Sequence, residues 1–302
     1  MIDQRSNNAA VAGFTNPFIK AFIQKNNKKV IKRLKTRYRH QFLYFPGTSL
    51  DDEELSELVA QLRDTADTCF EVSPEYQVMV GTREELSDKV IAVAWREDGK
   101  ISGFCSTVIL SVEGVGRVLH LGLTCVRPED RSNGLTHILT HKAVAGYLLR
   151  NKPVVGKLWV SNCAAVLSSL ANVSKHFEQV YPSPFAGAGP SDKHIRIAEA
   201  IDRYYRDKIY INKDAVFDRN RFVFRGSVKG TVFQKKESDG RFHHRDSELN
   251  DFYKNRMDFE NGDEVLQIAF ASTFTAIKHL CRNLPLPKPI QAGKVKPVSG
   301  SI

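Results

Sequence analysis

The sequence lacks the features of a secreted, disulfide-bonded or membrane-spanning protein. Its 302 residues contain only five cysteines, an odd number, widely spaced and never arranged as CxxC. That spacing argues against a disulfide framework or a thiolate zinc site. No apolar run of about eighteen residues occurs, and the N-terminus, MIDQRS, has no apolar segment of a secretion signal. We therefore expect a cytoplasmic protein with reduced thiols and no membrane span.

Several catalytic motifs are also absent. The sequence has no G-x-S-x-G and no G-x-x-x-x-G-K-[ST], which excludes a typical serine hydrolase and a P-loop nucleotide site. His137 and His141 share one helix face, but the Glu of HExxH is missing and no third ligand is evident. His243 and His244 lie in a polar segment. We interpret both pairs as surface histidines and predict no metal.

Positive charge is concentrated near the N-terminus. The net charge is +10, and residues 18–46 contain nine lysines and arginines with no acidic residue. Apolar residues recur there at roughly helical intervals, which predicts a basic amphipathic helix. It either packs on the core or docks onto an acidic partner such as a carrier protein. Few aromatic residues interleave with the charges, so nucleic acid is not favoured.

One strand, loop and helix unit organises the rest of the chain. The apolar run 118–126 predicts a partly buried strand, which Pro128 ends. A polar turn containing Gly134 follows, and apolar residues at helical spacing begin at Leu135. The first amides of such a helix have no intrahelical partner and form a site for a phosphate or pyrophosphate.

The other elements follow from periodicity, caps and turn residues. Ser49 and Asp52 form an S-x-x-D capping box, and Asp98-Gly99 marks a hairpin. The predicted elements are a helix from residue 49, strands over 90–95, 101–112, 154–160 and 221–225, helices over 135–150, from 161 and over 191–207, and an apolar segment of helical length over 265–280.

The unit 126–136 carries a family resemblance. Val126-x-Pro128-x-x-Arg131-x-x-Gly134-x-Thr136 resembles the acyl-CoA signature of the GNAT superfamily of N-acyltransferases. Thr136 replaces the usual Gly or Ala, and Ser132 stands where Gly is frequent. The resemblance implies an α+β, GNAT-like fold with a central mixed, mostly antiparallel sheet flanked by helices. It also implies that amides from Ser132 to Thr136 hold the coenzyme A pyrophosphate.

The resemblance also implies a set of site residues. Asn162 would contact the pantetheine arm, and His120 stands where some family members place a catalytic base. Ser169 occupies the position of a frequent Tyr acid, with Tyr147, Tyr181 or water as alternatives. Cys125 is interpreted as structural rather than nucleophilic. The expected cofactor-binding residues are Thr124, Cys125, Val126, Arg131, Ser132, Asn133, Gly134, Leu135, Thr136 and Asn162.

On this basis the chain is predicted to transfer a short acyl group, in the first place acetyl, from acyl-CoA to an amine on a small molecule or protein. Two alternatives stay open: transfer from an acyl carrier protein, and a catalytically inactive GNAT-fold binding or regulatory module. The predicted division is a basic extension (1–47), an acyltransferase core (48–230), a C-terminal extension (231–283) and a disordered tail (284–302). The acceptor is left open, because variable loops form acceptor pockets.

Overall fold

The structure, a computed structural model, describes residues 38–151 and 156–276. Its described strands form a single mixed sheet of nine strands, flanked by helices, which confirms the predicted α+β class. The strands are β1 (Arg39–Tyr44), β2 (Lys89–Trp95), β3 (Ile101–Val112), β4 (Gly116–Val126), β5 (Lys157–Ala164), β6 (Glu178–Tyr181), β7 (Val216–Asp218), β8 (Val223–Arg225) and β9 (Glu264–Ser272).

The helices connect and cover this sheet. They are the short α1 (Pro46–Ser49), α2 (Asp52–Asp67), α3 (Leu135–Asn151), α4 (Leu167–His176), α5 (Asp192–Tyr204) and α6 (Ser247–Lys254). Short 3-10 turns cover Gln77–Met79, Glu85–Asp88, Pro128–Asp130, Asp207–Ile209 and Gly240–Phe242.

The strand order is β1-β2-β3-β4-β5-β9-β8-β7, with β6 also pairing with β9. Strands β1 to β4 form an antiparallel meander, and the β2–β3 turn uses Gly99 at φ +81°, a conformation that favours glycine. Strand β5 pairs parallel to β4 because α3 carries the chain back over the sheet. The β4–β5 pair is thus the parallel step in an otherwise antiparallel sheet.

Helices cover both faces of the sheet. On one face, α2 packs Leu62 against Ile91 and Phe104, and α5 adds its own buried residues further along that face. On the opposite face, α3 packs Leu139 against Ala92, and α4 covers β5 and β9. The long central strands are therefore buried on both sides, which explains their nearly continuous apolar sequences.

The structure corrects the predicted capping box of α2 and the predicted helix over 265–280. The capping box of α2 joins Asp51 and Glu54 rather than Ser49 and Asp52. The apolar segment predicted as a helix over 265–280 is strand β9 as far as residue 272. An apolar run buried on both faces has no period, so length alone suggested a helix. Strands β1 and β9 therefore bring residues from both predicted extensions into the sheet.

Other predictions fall outside the described residues. The basic helix, predicted over residues 18–38, lies there almost entirely, and so does the tail 284–302. Among the helices that the structure describes, none has the length and apolar character needed to cross a membrane. A cytoplasmic location stays a prediction.

Candidate active site

A cleft opens where β4 and β5 separate. The two strands pair only from Val118 with Trp159 to Leu121 with Asn162. Beyond these residues β4 continues beside β3, while β5 continues beside β9. The gap between them is a cleft of about 850 Å³. Its lining includes the β4–α3 loop and Glu264, the first residue of β9.

A bulge in β4 marks the start of this separation. Cys105 pairs with Thr124 and Thr107 with Leu121, so Ser106 faces two residues, Gly122 and Leu123. The extra residue reverses the direction of the following side chains. Leu121 packs with the α3 face, whereas Leu123 packs with the α2 face.

The side chain of Gln77 holds the bulge. Gln77 is 2% exposed, and its Oε1 accepts from the Ser106 hydroxyl at 2.6 Å and from the Leu123 N–H at 3.2 Å. Its Nε2 donates to the Tyr76 hydroxyl at 2.6 Å. These bonds satisfy the buried amide side chain and fix the strand that lines the cleft.

A buried carboxylate fixes the β4–α3 loop. Asp130 accepts from the Tyr38 hydroxyl at 2.7 Å and from the Ser102 hydroxyl at 2.6 Å. Ser132 and Gly134 have φ values of +67° and +71°, so the backbone curls before α3 begins. The Asn133 side chain donates to the Asp130 carbonyl oxygen and to Tyr38, and so stabilises the loop itself.

Most of the predicted site residues meet at this cleft. Asn133 is the exception, since its side chain is used within the loop. The predicted residues that line the cleft are His120, Thr124, Cys125, Val126, Arg131, Ser132, Gly134, Leu135, Thr136, Asn162 and Ser169. The strand separation therefore brings together groups that are up to 49 residues apart in sequence. Their individual roles stay predictions.

His120 lies at the floor of the cleft. Its ring is almost fully buried, and its Nδ1 lies 3.0 Å from the Ser161 hydroxyl oxygen. Burial lowers the pKa of His120 to about 3. The imidazole is therefore neutral near pH 7, and its low proton affinity makes it a weak acceptor for an ammonium proton.

Asn162 lies within β5, not after it as the sequence suggested. Strand β5 continues to Ala164, because its last residues pair with β9. The Asn162 amide donates to Gln267 Oε1 at 3.2 Å, and Gln267 donates to the Tyr253 hydroxyl at 2.7 Å. This buried network fixes the orientation of Asn162 at the cleft.

Sequence analysis missed Glu264, at the start of β9. Glu264 is 8% exposed and lines the cleft. Its Oε2 accepts from the Ser227 hydroxyl at 2.6 Å and lies 3.7 Å from Cys163 Sγ. Burial raises the pKa of Glu264 to about 6, although the Ser227 and Cys163 contacts and the positive charge of Lys235 lower it. A carboxylate directly before an apolar strand was the available signal, hidden by the helical prediction for that segment.

Aromatic side chains form the wall near Glu264. Tyr76, Tyr210 and Phe233 line the cleft with ring centroids 5.0 to 5.8 Å apart. The alternative acids Tyr147 and Tyr181 do not line it. Tyr147 stacks on Tyr44, and Tyr181 packs edge-on against Phe222.

Cys69 has a thiol of low proton affinity. The pKa of Cys69 is lowered to about 6, mainly by a hydrogen bond from Cys125, and further by Thr68 and Arg131. Burial raises the pKa of Cys125 well above its ordinary value, which agrees with its interpretation as a structural thiol. Cys69 is half-buried and lines the cleft.

No protein-family model matches the chain, and no curated protein matches it. Solved structures match part of it. GCN5 from Tetrahymena is 12% identical with a TM-score of 0.35, covering 51% of this chain and 90% of that one. The GNAT family N-acetyltransferase YhbS from Escherichia coli, in complex with CoA, is 16% identical with a TM-score of 0.34, covering 45% and 67%. A ribosomal-protein-alanine N-acetyltransferase from Brucella melitensis is 18% identical with a TM-score of 0.27, covering 38% and 75%. GCN5 and YhbS are GNAT-family acetyltransferases, the superfamily that segment 126–136 resembles.

Proposed function

We propose that the chain is an N-acyltransferase that moves a short acyl group, acetyl in the first place, from acyl-CoA to an amine by direct transfer. One observation carries the proposal. The separation of β4 and β5 places an amide-rich helix start and a buried carboxylate of raised pKa in the same cleft. The first can bind the coenzyme A pyrophosphate and the second can accept the proton of the amine, which are two of the requirements of this reaction.

The acyl-CoA half of the cleft is the β4–α3 loop and the start of α3. The amides of Ser132 to Thr136 bind the pyrophosphate, supported by the partial positive charge of the helix N-terminus. The Arg131 guanidinium lines the same wall and adds positive charge. Asn162 and the exposed edge of β4 then hold the pantetheine arm and the thioester.

Glu264 is the proposed general base. An incoming ammonium gives its proton to the Glu264 carboxylate, and the free amine attacks the thioester carbonyl. The C–N bond forms, the C–S bond breaks, and the second proton of the attacking nitrogen passes to the leaving thiolate, through Ser169 or water, while Glu264 releases its proton to solvent. A pKa of about 6 leaves Glu264 ionised near pH 7, yet more basic than an ordinary carboxylate. His120, neutral and buried, serves as a hydrogen-bonding group at the floor.

The acceptor half of the cleft favours a particular class of amine. Glu264 offers a negative charge in electrostatic contact with Tyr76, which packs with Tyr210 and Phe233 in the cleft lining. Aromatic faces bind apolar and cationic groups. We therefore propose an acceptor with a primary amine carried on an apolar or aromatic body.

The direct test is release of free CoA thiol from acetyl-CoA in the presence of a panel of aryl-alkyl, polyamine and peptide amines. We expect amine-dependent release, reduced by about 100-fold or more in Glu264→Gln. His120→Gln separates the two candidate bases, and we expect a smaller loss there. Acetyl-CoA binding without release on any amine would instead support the inactive module. Release of a free thiol with an acylated carrier protein as donor, but not with acetyl-CoA, would support the carrier-dependent alternative.

A further inference from the structure

Three histidine side chains converge between α3 and α4, beside the cleft but outside its lining. His137, His141 and His176 each offer one ligand nitrogen, and these atoms all lie within 4.8 Å of one another. Within residues 38–151 and 156–276, this is the group of metal-binding side chains close enough to share one ion. The function proposed above does not use it.

The fold creates this group from two helices. His137 and His141 are four residues apart on α3, which places them on one helix face. His176 is the last residue of α4. The ring centroid of His137 lies 4.1 Å from that of His141 and 4.1 Å from that of His176. The third imidazole, which the sequence did not reveal, therefore comes from the other helix.

Hydrogen bonds orient two of the rings as metal ligands. His141 Nδ1 lies 2.7 Å from the His137 carbonyl oxygen, which only accepts, so Nδ1 carries the proton and Nε2 the lone pair. His137 Nδ1 lies 3.0 Å from Asn172 Oδ1 and is oriented in the same way. Such bonds from the second ring nitrogen are typical of metal-binding histidines.

The local electrostatics also suit a cation. His176 ends α4, where the helix dipole is negative. The adjacent positive charge, on Lys175, is paired with Asp246 at 2.8 Å. Phe177 stacks on the His141 ring with centroids 5.5 Å apart and shields one side of the group.

We propose that His137, His141 and His176 bind one divalent transition-metal ion of the zinc class, with a water molecule as the fourth ligand. Imidazole nitrogens bind zinc at about 2.0–2.1 Å, which corresponds to about 3.3 Å between tetrahedral ligands. Small rotations of the half-buried His137 and His176 rings bring the nitrogens from within 4.8 Å to that spacing. The bound ion cross-links α3 and α4.

This site is connected to the cleft through one residue. Asn172 orients His137 and also lines the cleft, and α3 begins at the proposed pyrophosphate loop. The ion thus stabilises the two helices that border the acyl-CoA half. The proposal itself concerns metal binding and holds whether or not the cleft binds acyl-CoA.

The test uses the full chain, prepared without a polyhistidine tag and stripped with a chelator. Titration with Zn²⁺ in a calorimeter is expected to give one ion per chain, with no binding of Mg²⁺, which prefers oxygen ligands. His176→Gln is expected to weaken Zn²⁺ binding by at least about tenfold. The matched control is the double variant His243→Gln and His244→Gln, which removes the chain's other histidine pair and should bind as wild type.

A second measurement does not depend on any variant. Wild-type protein loaded with Co²⁺ is expected to show the intense visible absorption of tetrahedral coordination, and Zn²⁺ should displace it. Absence of that absorption together with absence of Zn²⁺ binding by the folded wild type would overturn the proposal. Binding that survives in His176→Gln, or that is lost in the control double variant, would also overturn it by placing the ion elsewhere.

Discussion

Gln77 occupies the space that a side chain on residue 122 would need. A Cβ added at Gly122 would lie 2.1 Å from Gln77 Oε1. That oxygen accepts from Ser106 and from the Leu123 N–H, so Gln77 cannot move without breaking buried hydrogen bonds. The absence of a side chain at Gly122 and the amide of Gln77 together define the bulge at which β4 leaves β5.

Replacing Gly122 with Ala is therefore expected to destabilise the protein. The added methyl group displaces Gln77 and leaves buried polar partners unsatisfied, at a cost of about 1–3 kcal/mol. The measurement is the free energy of unfolding in urea. In a Gln77→Ala background the steric conflict is gone, so Gly122→Ala should cost clearly less. Equal costs in both backgrounds would show that the two residues are not coupled.

The pH dependence of turnover should report Glu264. The base must be ionised, so kcat/KM is expected to rise with pH, with an inflection at about pH 6, and to level off above it. His120, with a pKa near 3, stays neutral across this range and contributes no inflection there. Glu264→Gln should lose the inflection as well as the rate. An inflection that persists in Glu264→Gln would assign it to another group.

Glu264 should also affect the pH dependence of stability, and its raised pKa fixes the direction of the effect. Its folded pKa of about 6 lies above the ordinary 4.5, so the folded protein binds the proton more tightly. Stability from this group is present below pH 4.5 and is lost as pH rises through 6, by about 2 kcal/mol. Glu264→Gln has no titrating carboxylate at this position, so it does not lose this stability as pH rises. Its unfolding free energy relative to wild type should therefore improve by about 2 kcal/mol between about pH 4 and about pH 8.

The stability experiment has its own control. Asp239, a partly exposed carboxylate paired with Arg241 at 2.6 Å, has its pKa lowered to about 2, mainly by that hydrogen bond. Asp239→Asn should not reproduce the improvement at high pH, because its folded pKa lies below the unfolded one. If Glu264→Gln shows the same difference from wild type at both pH values, the carboxylate is not perturbed as described.

Cys69 should be the most reactive of the four cysteines that the structure describes. With a pKa of about 6 it is mostly thiolate at pH 7, whereas Cys105, Cys125 and Cys163 all have raised pKa values. Iodoacetamide labelling followed by mass spectrometry should modify Cys69 first, more than about tenfold faster than the others.

The labelling experiment also tests why the pKa of Cys69 is low and whether acetyl-CoA binds in the cleft. Cys125→Ala removes the main hydrogen bond that lowers the pKa of Cys69, so labelling at pH 7 should slow. Acetyl-CoA should protect Cys69, because this thiol lines the cleft. Labelling of Cys69 that is unaffected by saturating acetyl-CoA would place the cofactor away from this wall.

The sequence was sufficient for strands β2 to β4 and for the loop that follows them, but not for β1. The bounds of β3 match the prediction over 101–112, and those of β2, β4 and α3 differ by two residues or fewer. Turn and stop residues delimit the strands: a glycine turn separates β2 from β3, and a proline ends β4. The same local signals placed the predicted loop residues at one wall of the cleft.

The remaining features depend on contacts between distant parts of the chain. Strand β9 is buried on both faces and so has no alternating pattern, which hid both the strand and Glu264 at its start. Pairing with β9 extends β5 past Asn162. His176 meets His137 only because α4 returns over the sheet. The β5–β9 pairing and the contact between His137 and His176 have no local sequence signal.

The most direct measurement is calorimetric binding of acetyl-CoA to wild type, Gly134→Asp and Gly99→Asp. Both glycines have positive φ values, +71° and +81°, and open space where a side chain would project, so the two variants carry equal charge and similar backbone strain. Gly134 lies in the proposed pyrophosphate loop, whereas Gly99 lies in the β2–β3 hairpin turn, which does not line the cleft. The account predicts that wild type and Gly99→Asp bind acetyl-CoA and that Gly134→Asp does not. Absence of binding by the folded wild type, or equal binding by both variants, would contradict it.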